Sequence, residues 1–408
     1  MNSKYEKYAR LIIEMGVNVQ KGQPLLIRAE VEEADFVRLL AKYAYERGAS
    51  EVVLDWKDSP LLRMRLENAP HEVLKEIPDW AFDRMKYYYE KNACLISLSS
   101  SDPEALSGLD PKRLGLAMKA ANEKFKPLDH YTMNDELAWC VASVPGKDWA
   151  CRVFPDLSPE RAQEKLWEAI QKAVRLDQED PLTAWKSHIE TLNARAEKLN
   201  RYHFQSLHYQ SSQGTDLIVQ LPSGHLWLAA ESHNRAGTRF IPNMPTEEIF
   251  TLPSRTGVEG TLCSTKPLSY NGNLIEDFVF RFKDGKVTDF RAKKGEEILR
   301  SLLEEDENAR RLGECALVPY DSPISNSGLL FFNTLFDENA SCHFALGAAY
   351  PTCLEGGAAM TEEELTQAGA NSAQVHVDFM VGSKDLRITG KTSQGEEIPV
   401  FLEGNFAF

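Results

Sequence analysis

Residues 374–381 alternate in character, so a strand there would turn His376 and Asp378 to one face and Val375, Val377, Phe379 and Val381 to the other. An imidazole and a carboxylate side by side form a two-pronged grip for a divalent metal. The same pattern also fits a strand with a polar, solvated side. Upstream, Glu338 and His343 stand five residues apart among small and apolar neighbours, close enough to serve one site across a turn or a helix start. Tyr350, seven residues further on, could bring a phenol to the same place, though its position also fits a packed tyrosine bonded to backbone. Glu314 follows Gly313 at the entrance of the apolar run 315–318, where a buried charge needs a partner. Glu247 and Glu248 follow a proline-stiffened loop, 241–246, which would place a ligand at little entropic cost; each also fits a surface acid or a helix-start residue. With Glu247 and Glu248 as alternatives for one position, these supply three glutamates, two histidines and one aspartate. Two divalent ions about 3.5–4 Å apart, sharing a carboxylate and a water, require about this donor set, and such pairs run hydrolysis.

The segments that must position these residues change texture along the chain. Up to about residue 180, helical and strand periods alternate: Tyr5, Tyr8, Leu11, Ile12 and Met15 share a helical face, 25–27 is a short apolar run, and Phe36, Leu39, Leu40 and Tyr43 return to the helical period before a second run at 52–54. Further strands are expected at 94–98 and 137–144, with helices over 111–126 and from Ser158 onward. This order predicts an α/β domain, 1–180, built on a mainly parallel, doubly wound sheet. Beyond the acidic break 177–181 and one more helix, short alternating segments succeed one another, with Asp284–Gly285 as a hairpin signal and a helix expected over about 295–312. Residues 181–408 therefore read as a strand-rich α+β domain that carries every candidate ligand, which leaves the first domain a role in dimerisation or access.

Composition narrows the partners. The 408 residues carry 46 Lys and Arg against 61 Asp and Glu, a net charge of −15 that repels phosphate backbones, so nucleic acid and anionic membrane surfaces are not expected partners. Seven cysteines form no C-x-x-C pair and fit reduced thiols in a cytoplasm. The start of the chain lacks the apolar stretch of a signal peptide, and no run of about 20 apolar residues predicts a membrane span. The glycine fingerprints of dinucleotide and P-loop sites are missing, as are H-E-x-x-H and G-x-S-x-G.

The stretch Asn243-Met244-Pro245-Thr246-Glu247-Glu248-Ile249-Phe250, the Gly313-Glu314 step, Glu338 with His343, Tyr350 and His376-Val377-Asp378, in this order and with these gaps, resemble the thermophilic-type metallo-aminopeptidase family of aminopeptidase T, aminopeptidase S and PepS. The resemblance spans essentially the whole chain. It implies a cytoplasmic, homodimeric exopeptidase that removes N-terminal residues from peptides with two divalent metal ions, zinc or cobalt foremost and manganese or magnesium as alternatives. Position by position it implies Glu248 as the first ligand, with Glu247 as the fallback, and Glu314 as a ligand suited to bridge the ions and to assist water deprotonation. Glu338, His343, His376 and Asp378 would complete the set, and Tyr350 would donate a hydrogen bond to the tetrahedral oxyanion. Two other readings compete: a metal-dependent amidase or dipeptidase acting on another small substrate, and a non-enzymatic dimeric binding protein whose acids are surface charge.

Overall fold

Apolar runs covered on both faces make the first sheet. The computed structural model describes residues 3–270 and 273–408. Its contacts separate two compact units, Met1–Trp185 with Glu231–Pro245, and Lys186–Ala230 with Thr246–Phe408. In the first unit four parallel strands lie in the order Glu51–Lys57, Pro24–Glu30, Cys94–Leu98, Trp139–Ala142. Leu25, Leu26 and Ile27 are buried in succession, as strands covered on both faces require. Helix Ala34–Glu46 buries Phe36, Val37, Leu39, Leu40, Tyr43 and Ala44 along one stripe. Ser158 caps helix Pro159–Ala173 by accepting the Arg161 N–H, with proline at the first helical position. The excursion Glu231–Pro245 belongs to this unit because its backbone bonds there: Ile241 N–H donates to the Gly16 carbonyl at 2.7 Å and Val141 N–H to the Pro242 carbonyl at 2.7 Å. The buried Tyr8 hydroxyl donates to the Met244 carbonyl at 3.3 Å.

The second unit is dominated by antiparallel sheets. One has eight strands, in the order Lys286–Arg291, Val279–Lys283, Val258–Cys263, Asp216–Gln220, Ser206–Gln210, Arg387–Lys391, Glu397–Leu402, Asn405–Phe406. Asp284 and Gly285 form the expected two-residue hairpin turn, both with positive φ (50° and 74°), a conformation glycine adopts freely. A smaller sheet orders His376–Met380, His343–Gly347, Leu312–Leu317 and Ile249–Thr251, every pair antiparallel. Its Phe344 and Phe379 meet rings of the large sheet, Tyr209 to Phe344 at 5.0 Å and Phe280 to Phe379 at 5.3 Å between centroids. One face of the small sheet is thereby committed to the core, and strand alternation sends the neighbouring positions to the other.

The helix expected over 295–312 is shorter: it spans Glu296–Leu303. Beyond its C-cap Glu304 the chain enters a local turn in which the Asp306 side chain accepts the N–H groups of Asn308 at 2.7 Å and Ala309 at 2.9 Å. The freed residues let a strand begin at Leu312, which places Glu314 inside the strand instead of at its entrance. Among the described residues no helix is long and apolar enough to cross a membrane.

Candidate metal centre

Register across the small sheet assembles the cluster. Glu314 pairs with Ala345, which pairs with Asp378; Ala316 pairs with both Phe250 and His343; Gly347 pairs with His376. Directly paired residues share a face and so do residues two apart on a strand. Glu314, His343, His376 and Asp378 therefore point the same way, and Glu248, two residues before Phe250, leads in from the fourth strand. The intervening Ala316, Ala345 and Gly347 are small, which keeps the space between the charged groups open.

Two glycines make the close approach possible. Gly347 has φ 105°, and a Cβ there would sit 1.9 Å from the Val375 carbonyl oxygen; a Cβ on Gly313 would sit 2.2 Å from that of Ala348. Gly313→Ala must push apart the strand that carries Glu314 and the backbone beside His376. The expected result is a folded protein destabilised by about 1–3 kcal/mol that loses most of its activity, read by thermal melting and kcat/KM. Unchanged values of both would refute the requirement for glycine.

Both imidazoles are oriented by carbonyl oxygens. His343 Nδ1 lies 3.0 Å from the Glu338 carbonyl and 3.1 Å from that of Ser341, and His376 Nδ1 lies 2.7 Å from the Ala348 carbonyl. A carbonyl only accepts, so Nδ1 carries the proton and each Nε2 faces inward. His343 Nε2 stands 3.1 Å from Glu248 Oε2 and 3.5 Å from Glu314 Oε1. His376 Nε2 stands 3.4 Å from Glu314 Oε2 and 3.6 Å from Asp378 Oδ1. Two three-donor groups result, Glu248–Glu314–His343 and Glu314–His376–Asp378, with the ligand atoms of each within 4.8 Å of one another and Glu314 common to both.

The electrostatics of this cluster are those of lone pairs collected in a dry place. Burial pushes the Glu248 carboxyl up, against the pull of His343. Burial also raises Glu338, and the neighbouring Asp378 and Glu248 raise it further. Burial acts on Glu314 in the same direction, but the two imidazoles outweigh it and hold the carboxyl at about 2. Burial disfavours charge on His343 and His376, yet the carboxylates around them lift both well above the ordinary imidazole value. Glu248, Glu338 and both imidazoles are shifted toward holding a proton, and Glu314 between the imidazoles is shifted toward losing one. Carboxylate oxygens with inward imidazole nitrogens are also the donors that zinc, cobalt and manganese accept, so the residues fit a divalent metal.

The remaining expected residues also fall here. Glu338 is buried at the start of a short 3-10 turn, Glu338–Ala340, next to His343 in space though outside both three-donor groups. The Tyr350 ring packs edge-on against His376 at 5.0 Å and against Phe250 at 5.9 Å between centroids. Burial and then the surrounding carboxylates raise its phenol well above the usual value, so it remains a donor. Glu247 turns away from the cluster: its Oε2 lies 3.6 Å from His188 Nε2, and its backbone N–H donates to Asn339 Oδ1 at 2.7 Å. Sequence reasoning missed His188 and Asn339. His188 reads as a polar helix position, yet it stands three residues after Trp185 and four before Leu192, on the apolar stripe of helix Pro181–Tyr202, and that spacing was the available signal. Asn339 carried no local signal.

Comparison with known proteins agrees over the full length. Residues 1–406 match the family described as thermophilic metalloprotease (M29). The chain is 46% identical to aminopeptidase AmpS of Bacillus subtilis over 407 residues, covering 100% of this chain and 99% of that protein. It is also 46% identical to aminopeptidase PepS of Streptococcus thermophilus over 402 residues, 98% of this chain and 97% of that protein. The solved structure of wild-type AmpT from Thermus thermophilus superposes with a TM-score of 0.92 at 41% identity, covering 100% of this chain and 99% of that one.

Proposed function

The chain belongs to the thermophilic metalloprotease (M29) family, and from that premise we propose that it is a metal-dependent aminopeptidase that releases N-terminal residues from peptides. Family membership implies a divalent metal cofactor. Two ions per chain, zinc or cobalt with manganese or magnesium as substitutes, are assigned to Glu248, Glu314, Glu338, His343, His376 and Asp378. One observation supports the pair above the others: the two oxygens of Glu314 face different imidazoles, and it alone is shared by both three-donor groups. Bound there, such ions polarise a scissile carbonyl and lower the pKa of a water.

The residues of the chain supply the rest. Nδ1 bonding of both histidines to carbonyl oxygens fixes the rings so that only Nε2 is offered inward. Four carboxylates, Glu248, Glu314, Glu338 and Asp378, would roughly balance the charge of two divalent ions. Glu314, common to both three-donor groups, is the carboxylate assigned to assist deprotonation of the attacking water. Tyr350 keeps its phenolic proton and can donate to the oxyanion as the carbonyl becomes tetrahedral. A homodimer in the cytoplasm, acting on peptides with free N-termini and on neither nucleic acid nor membranes, completes the reading.

The test uses the purified protein with matched peptides whose N-termini are free or acetylated, before and after chelation, then with zinc or cobalt restored. Stepwise release from free ends only, lost on chelation and regained with metal, is the expected result. Equal cleavage of acetylated peptides would transfer the activity to an amidase, and metal-independent behaviour throughout would leave a binding protein.

A further inference from the structure

Glu248 and Glu338 come from distant parts of the chain, one leading into the strand Ile249–Thr251 and the other opening the turn Glu338–Ala340. Asn339 ties them together. It is fully buried, at 0% exposure. Its Oδ1 accepts the Glu247 backbone N–H at 2.7 Å, while its Nδ2 donates to the Leu335 carbonyl at 3.0 Å and to Glu338 Oε1 at 3.3 Å. The orientation of the amide follows from these partners, because a backbone N–H only donates and a carbonyl only accepts; a flipped amide would lose both bonds.

We propose that Asn339 is a positioning residue for metal binding, which fixes the Glu247–Glu248 backbone and the Glu338 carboxylate relative to each other. The inference rests on the reading of the cluster as a divalent-metal site. Buried carboxylates gathered for a cation repel one another before it arrives, and a neutral amide can hold two of them in place without adding charge. His188 secures the same loop from the helix Pro181–Tyr202, its Nε2 lying 2.8 Å from the Thr246 carbonyl. With the Thr246 carbonyl and the Glu247 N–H both engaged, Glu248 is the carboxylate left to face His343.

The experiment is a titration of metal-free protein with Co2+, followed by its visible absorption, for the wild type, Asn339→Ala, Asn339→Asp and His343→Ala, with thermal melting and kcat alongside. Asn339→Ala is expected to bind Co2+ about 10–100-fold more weakly, with most of the wild-type kcat recovered at saturation. Asn339→Asp keeps the acceptor for Glu247 but loses both donors and sets a charge beside Glu338, so it is expected to weaken binding at least as much. Should the alanine variant fail to fold, the nearly isosteric aspartate variant decides. A purely structural role would lower the melting temperature and leave Co2+ affinity at the wild-type value, and that result overturns the proposal. Co2+ binding that disappears in His343→Ala but is unchanged in the Asn339 variants refutes Asn339 alone; no binding to the wild type removes the metal-site reading and this proposal with it.

Discussion

Glu314→Gln is expected to lower kcat/KM by about a thousandfold or more and to release bound metal while the protein stays folded. The carboxamide has nearly the shape of the carboxylate, so packing is preserved. What changes is charge: one end becomes a donor aimed at an imidazole nitrogen, 3.5 Å away at His343 or 3.4 Å away at His376, and the acid common to both three-donor groups is neutral. Metal ions contribute several kcal/mol of transition-state charge stabilisation. A loss of about 4 kcal/mol is about a thousandfold at 1.36 kcal/mol per decade. Two measurements accompany the kinetics. Elemental analysis after dialysis should show less metal than in the wild type. The melting temperature of metal-free wild type should rise on adding zinc or cobalt, by mass action on the folded state, whereas that of the variant should barely move. Wild-type kcat/KM with full metal content would remove Glu314 from the centre.

Part of this site was legible in the sequence because strand alternation is a local property. His376 and Asp378 sit two apart with apolar residues between and around them, and the structure places them on one face of His376–Met380. Glu314 was harder: all six residues of Leu312–Leu317 are buried, so its strand shows no alternation, and the helix before it ends earlier than its pattern suggests, at Leu303. The cross-strand register that sets Glu314 opposite Ala345 and Ala345 opposite Asp378 is a long-range fact with no single-segment signature. The ordered set of motifs supplied what the isolated pairs did not.

Fold-level features divide the same way. Helices with a full apolar stripe, such as Ala34–Glu46, and the buried run in Pro24–Glu30 carry their own periodicity. The excursion Glu231–Pro245 does not: its two strands are two residues each, and it joins the first unit through backbone bonds to Gly16 and Val141. Backbone bonds are blind to side-chain type, so no pattern reports them. Asn339 is a related case, since its partners are a backbone N–H, a carbonyl and an acid remote from helical or strand spacing.

Tyr350→Phe is expected to lower kcat about 10²–10³-fold with metal content unchanged and KM close to the wild-type value. The substitution removes one oxygen and keeps the ring, so the edge-on contacts to His376 and Phe250 survive and the imidazole stays where the Ala348 carbonyl holds it. An effect on metal content would mean the ring position had been disturbed, and the split between metal content and kcat tells the two apart. The size follows from where the phenol acts. A donor that strengthens its bond only as the substrate oxygen gains charge stabilises the transition state and not the bound peptide, so its loss appears in kcat more than in KM. Burial and the surrounding carboxylates raise the phenol well above its usual value, which leaves the hydroxyl able to donate. A Tyr350→Phe enzyme with wild-type kcat would take the hydroxyl out of the mechanism and leave the tyrosine as packing beside His376.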